Sequence, residues 1–372
     1  MGKPKKKLLP KDFEALLKAG DLEALKSVFD TCDIDARGGT WKQTALAFNE
    51  CPDELARWLV ERGADLAAGD TYGDTPLHAR SGHWQGRIDI LLELGADVHD
   101  GEGMRGTPLH AAAGVYNVEN AGVLIAHGAR VDALNREKQT PLTYALQRCR
   151  NIHIEQMAPL AELLITESAQ LETKPQGFLA ALPGARRPER SHQTAEMKAV
   201  VTRIGTEFEF HRNGFNPECI DATGAGLQKL YELFGVQPVH RRALHDGKSP
   251  IVAKAADWRE RHQELWEFLV PSKGAAETIQ GEVIRIPGKI RTELESNGGI
   301  NWDADYKNMA SAFVVLVSSG TPLPAFELAE ARAIIAEVKA RRGDTSRLCE
   351  LAVRWVALNP KPVRLPPPNY SR

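Results

Sequence analysis

Apolar residues recur at helical spacing along most of the chain. Phe13, Leu16 and Leu17 share one helix face and, after Gly20, Leu22, Leu25 and Val28 share a second. In the C-terminal half, Met197, Val200, Val201, Ile204 and Phe208 form one stripe and Leu227, Leu230, Tyr231 and Phe234 the next. Trp258, His262, Leu265, Trp266 and Leu269 make a third. Ile279, Val283, Ile286 and Ile290 make a fourth, in which Pro287-Gly288 predicts a kink or break. Further stripes are Tyr306, Met309, Phe313 and Leu316; Leu328, Ile334, Ile335 and Val338; and Leu348, Leu351, Ala352, Trp355 and Val356. Strict alternation is scarce, so the pattern predicts an all-α protein, with room in the C-terminal half for minor strands at the PECIDAT run, residues 217–223, and the VIRI run, residues 283–286.

Between residues 70 and 135 one motif occurs twice. The sequence YGDTPLH (72–78) is followed by LLELGADVH (91–99), and RGTPLH (105–110) by VLIAHGARVDA (123–133). A weaker match at Thr44 and a clear one at Thr140 give spacings of 31, 32 and 33 residues between Thr44, Thr75, Thr107 and Thr140. Each Thr can cap a helix, and Pro76, Pro108 and Pro141 stand in the first turn, where a missing N–H is tolerated. Leu77, Leu109 and Leu142 point into the stack, and Gly95 and Gly128 stand where a second helix ends. A helix–turn–helix unit repeated at this period cannot bury its apolar face alone and must stack on its neighbours.

These motifs resemble the ankyrin repeat. The resemblance covers residues 11–172 and implies a solenoid of about five helix–turn–helix units, the first degenerate. In the first unit CDIDARGG, from Cys32 to Gly39, matches the loop after a second helix. The last unit is about seven residues longer than its neighbours between Thr140 and Ser168, which replaces the terminating glycine; both of its helices are expected to be extended. In such units His78 and His110 are expected to bond backbone and the motif Thr, a structural task.

The expected organisation is a basic N-terminal tail (1–10), the repeats (11–172), a Pro/Gly/Arg-rich linker (173–190) with one short helix at residues 178–182, a helical domain (191–359) and a proline-rich, extended tail (360–372). The pattern around Gln280-Gly281-Glu282, Asn297-Gly298-Gly299 and Asn301-Trp302-Asp303 resembles an uncharacterised bacterial domain, to which no activity attaches.

Composition narrows the function. A net charge of −2 over 372 residues argues against binding driven by phosphate neutralisation, so no nucleic-acid partner is expected. The longest apolar run, residues 312–317, is too short for a membrane, and the N-terminus lacks the apolar core of a signal peptide, so a cytoplasmic location is expected. Cys32, Cys51, Cys149, Cys219 and Cys349 are scattered, with no C-x-x-C pair, and His83, His99 and His127 have no histidine partner at i,i+4. Neither a metal site nor a cofactor is implied, and the G-x-S-x-G, P-loop and H-E-x-x-H motifs are absent.

Candidate chemistry lies in two places. Repeat phase puts Trp41, Lys42, Tyr72, Met104, Arg105 and Arg136 at loop tips and Arg80, Trp84 and Tyr116 near turns, where aromatic and arginine side chains make good anchors for a partner protein. Gln280, Glu282, Arg285, Asn301, Trp302, Asp303 and Asp305 form the densest polar set, which converging would make a pocket with carboxylates for acid–base work; capping and ion pairing account for the same residues. A second cluster, residues 208–218, reads as an aromatic core patch beside a turn. The resemblance implies a protein–protein interaction protein and not an enzyme: a cytosolic binder or inhibitor, such as an immunity protein that neutralises a bacterial toxin. The rival reading is a hydrolase-like C-terminal domain served by the repeats, with Glu282 or Asp303 at the base of a cleft.

Overall fold

The computed structural model describes residues 4–101, 103–173 and 193–372. The short helix expected at residues 178–182, and all of the expected linker but Thr173, lie outside the described residues. The described chain is mostly helical and divides into two compact units, Met1–Glu207 with Pro217–Val239, and Phe208–Asn216 with His240–Arg372. The chain thus passes from one unit to the other three times. No described helix is long and apolar enough to cross a membrane.

The first unit opens with a small sheet. β1 (Lys6–Leu8) pairs in parallel with β2 (Cys32–Gly38), which pairs antiparallel with β3 (Gln43–Thr44). Part of the expected basic tail is therefore a strand, and the segment expected as an inter-unit loop is its partner. Between β1 and β2 lie α1 (Phe13–Ala19) and α2 (Leu22–Thr31), and Phe13 packs edge-on against Phe29 and Phe48.

Thr44 opens only a single 3-10 turn, Ala45–Ala47, before α3 (Asp53–Glu61). This unit lacks the proline of its successors, and its first helix is reduced to that single turn. The later units are α4 (Pro76–Ser81) with α5 (Asp89–Glu93), α6 (Pro108–Gly114) with α7 (Val118–Ala126), and α8 (Pro141–Arg148) with α9 (Ile154–Thr173). α6 packs between α4 and α8. Leu77, Leu109 and Leu142 are buried at these contacts, and Gly95 and Gly128 take the left-handed conformation after α5 and α7. The extra length of the last unit lies mainly in α9, whereas α8 is hardly longer than α6.

Sequence pattern assigned residues 191–239 to the C-terminal domain, but most of them complete the first unit. α10 (Ala195–His211) contributes as far as Glu207, and α11 (Pro217–Phe234) packs along α9. Gly226 permits this: a Cβ there would lie 3.0 Å from the carbonyl oxygen of Ile154 and 3.2 Å from Glu155 Cα. These helices carry no repeat motif, so the end of the period was read as the end of the domain. The PECIDAT run lies inside α11, not in a strand.

The second unit is built around α13 (Ile279–Arg291), which packs against α12 (Trp258–Leu269), α14 (Ala304–Val317) and α16 (Thr345–Leu358); α15 (Ala325–Lys339) packs on α14 and α16. The VIRI run is helical, and α13 continues through Pro287-Gly288 without the expected break. A Cβ on Gly288 would overlap the Trp266 ring, so this position lets α12 and α13 close on each other. The helix then widens into one π turn, Thr292–Ser296, before the glycines at 298 and 299 stop it.

Candidate functional site

The loop tips of the first unit are held by hydrogen bonds within and between turns. Asp70 Oδ1 accepts from the N–H groups of Tyr72 (2.7 Å) and Asp74 (3.1 Å), and the Asp70 N–H donates to the Asp74 carbonyl (2.9 Å). Asn135 closes the same five-residue turn on Gln139, with Oδ1 accepting at 2.8 Å and its N–H donating at 3.0 Å. Gly73 and Lys138 occupy equivalent places in the two turns, and both have positive φ. The Trp41 carbonyl accepts from the N–H (3.0 Å) and hydroxyl (2.5 Å) of Thr71, which joins one tip to the next.

On this frame the Trp41 and Tyr72 rings lie 5.3 Å apart while remaining 50% and 43% exposed. Lys42, Met104 and Arg136 are exposed at the neighbouring tips and Arg105 is half-buried. Trp84 is 70% exposed, stacked on His83, with its carbonyl accepting from Asn117 Nδ2 at 3.3 Å. Leu134, also exposed, belongs with this row, and sequence reasoning missed it. Its place just before the Asn135 turn was the available signal.

Two residues expected at the surface are inside. The Arg80 side chain runs into the first unit, where Nε donates to the Leu46 carbonyl (2.8 Å) and one terminal nitrogen to the Arg87 carbonyl (3.1 Å). Desolvation lowers its basicity. Arg80 thereby ties α4 to the 3-10 turn of the preceding unit, on which α4 also packs. Tyr116, with positive φ, stacks on His153 at 4.5 Å and donates to the Ala145 carbonyl at 3.4 Å. Burial pushes its hydroxyl well above the ordinary tyrosine range. Helix phase put both residues near turns but did not give the direction of their side chains.

The polar set of the second unit is not one pocket. Glu282 is fully buried and accepts from Arg285 Nε (2.8 Å), an Arg285 terminal nitrogen (2.6 Å), the Ala276 N–H (2.9 Å) and the Tyr370 hydroxyl (2.8 Å). Buried Gln280 donates to the carbonyls of Asn359 (2.9 Å) and Lys361 (2.7 Å) and accepts from the Val363 N–H (3.1 Å). Asn301 instead bonds Glu293, through its N–H (2.6 Å) and side-chain amide (3.3 Å). Trp302 is buried and donates to the Lys339 carbonyl at 3.4 Å. Asp303 caps α14 through the Tyr306 N–H (3.0 Å) and pairs with Arg372, while Asp305 accepts from Ser371. Glu282 thus has its acceptor positions filled and no open face for acid–base work.

In the second cluster, Glu209 and Arg212 form a bidentate pair at 2.9 Å and the guanidinium lies over Phe208, as a structural patch would require. Among the described residues no group of three or more His, Cys, Asp or Glu side chains could hold a metal ion. No protein-family model matches the chain, and no curated protein matches it.

Proposed function

We propose that the helix pairs of the first unit are ankyrin-type repeats and that the protein binds a partner protein through their loop tips. The observation that carries this reading is the exposed Trp41–Tyr72 pair, held in place by backbone hydrogen bonds between adjacent tips. Large rigid aromatics bury much area at little entropic cost, and a tip that is already ordered loses little freedom on binding. Lys42, Met104, Arg105, Leu134 and Arg136 extend the same row, giving an apolar centre with a cationic margin. Within this reading the protein is a cytosolic inhibitor of another protein, such as an immunity protein that neutralises a bacterial toxin. The Thr-Pro-Leu-His hydrogen bonding and the period near 32 residues support the repeat assignment.

The test is capture from the source cell with the full chain and with a Trp41→Ala/Tyr72→Ala variant. One stoichiometric protein is expected with the parent chain, bound about 30-fold more weakly by the variant, the loss typical of a central anchor. Equal capture by both would remove this face as the binding surface.

A further inference from the structure

Residues 360–372 are seated on the second unit as a foreign peptide would be. Their first part pairs with residues 277–279: the Ile279 N–H donates to the Val363 carbonyl (2.8 Å), the Leu365 N–H to the Glu277 carbonyl (2.9 Å), and Thr278 and Arg364 form an antiparallel bridge. Gln280 adds two bonds to this stretch, to the Lys361 carbonyl and from the Val363 N–H, and a third to Asn359 just before it. Pro366, Pro367 and Pro368, which have no N–H to leave unpaired, then carry the chain along α14 to Tyr370.

Tyr370 is the anchor. It is the only buried side chain of the segment, and its hydroxyl meets the Glu282–Arg285 pair. Beyond it the bed is acidic: Asp305 accepts from the Ser371 N–H (2.9 Å) and hydroxyl (2.8 Å), and Asp303 pairs with Arg372. Arg285 donates to the Arg372 carbonyl at 2.6 Å. Main-chain pairing, one aromatic in a pocket and a charged side chain beside it are features by which proteins recognise extended peptides.

The segment occupies the seat without filling the space around it. A cleft of about 400 Å³ remains between α14 and residues 365–370, and a second lies beside Glu277, Thr278 and Arg364. Val363 is about half exposed, and Arg364, Pro366 and Pro367 are exposed. The segment is therefore fixed at intervals and not packed into a core along its length.

From this geometry we infer that the surface formed by residues 277–285 and α14 is a peptide-binding site for a proline-rich segment that contains Tyr-Ser-Arg. Residues 360–372 occupy it in cis, and the same segment of a second copy of the chain occupies it in trans when the first is released.

The test uses the full chain with Tyr370→Ala, which removes the cis anchor and leaves the bed intact, and a fluorescent peptide of residues 360–372 read by anisotropy. Saturable binding to the variant is expected, with at least tenfold weaker binding to the parent chain, whose site is filled. A peptide carrying Tyr370→Ala should lose at least tenfold in affinity for the variant. Equal binding to parent and variant, or no binding to a folded variant, overturns the proposal. Hydrogen exchange on the parent chain tests it without any substitution. The amides of Val363, Leu365 and Ser371 are expected to exchange together and at least tenfold faster than those of Ile284 and Ile290 in α13. Equal protection would mean that the segment opens only with the whole unit, and would overturn the proposal equally.

Discussion

His78 and His110 each join segments that are far apart in the chain. In both, Nδ1 accepts from the N–H of the motif Thr at 3.2 Å, which leaves Nε2 protonated to donate to a carbonyl in the next turn, Gly106 at 2.8 Å and Gln139 at 2.9 Å. His110→Ala should lower stability by about 2 kcal/mol in denaturant titrations, because it strands a donor and an acceptor in a buried place. Lys138→Gly should do the reverse, by up to about 1 kcal/mol, since it relieves a left-handed lysine in a turn where Gly73 already serves. His262 supplies a pH dependence. Burial is the main cause that pushes it from 6.5 down to about 4. The unfolded chain therefore binds the proton more readily than the folded one. The stability that neutral His262 permits is full above pH 6.5 and is lost as pH falls from there towards 4, a change of about 3 kcal/mol at most. Urea melts at pH 7 and 4.5 should show the loss, and His262→Leu should reduce it. The roles of His78 and His110 were legible from the motif; Arg80 and Tyr116 were not, because spacing gives a helical position but not which neighbouring carbonyl a long side chain will reach.

Helices were legible as elements wherever apolar spacing ran for several turns, and α12, α14, α15 and α16 lie where their stripes put them. The misreadings at this scale share one cause: a local residue preference was outweighed by a tertiary contact. Pro287-Gly288 reads as a break, yet the pair sits where α13 meets Trp266 and the helix runs on to Arg291. The segment from Cys32 to Gly38 reads as a loop, yet it finds a strand partner in Lys6–Leu8 that no local pattern announces. Gly288→Ala should cost roughly 1–3 kcal/mol through overpacking against the indole. The same change in a Trp266→Ala background should cost much less, and a double-mutant cycle by chemical denaturation would measure the coupling.

At the scale of the whole chain, the period marked the repeats but not where their unit ends. α9 buries Met157, Leu160, Ala161 and Leu164, and α11 lies along it without carrying any repeat motif. A fragment of residues 1–175 lacks that cover, so it should bind a hydrophobic dye and run as aggregate on size exclusion, unlike the full chain. The polar set around Glu282 was legible as a concentration of functional side chains. Its purpose was not, because the partners that use it up, Tyr370 and the backbone of residues 359–363, lie about eighty residues away along the chain.

The three passages of the chain between its two units bear on how such a protein can change over generations. A module that begins and ends once can be copied, lost or joined to new neighbours by a single recombination event. Here every single breakpoint between residues 207 and 240 divides at least one unit. The two are therefore bound to be inherited as a pair, and selection on either one acts on the gene that encodes both.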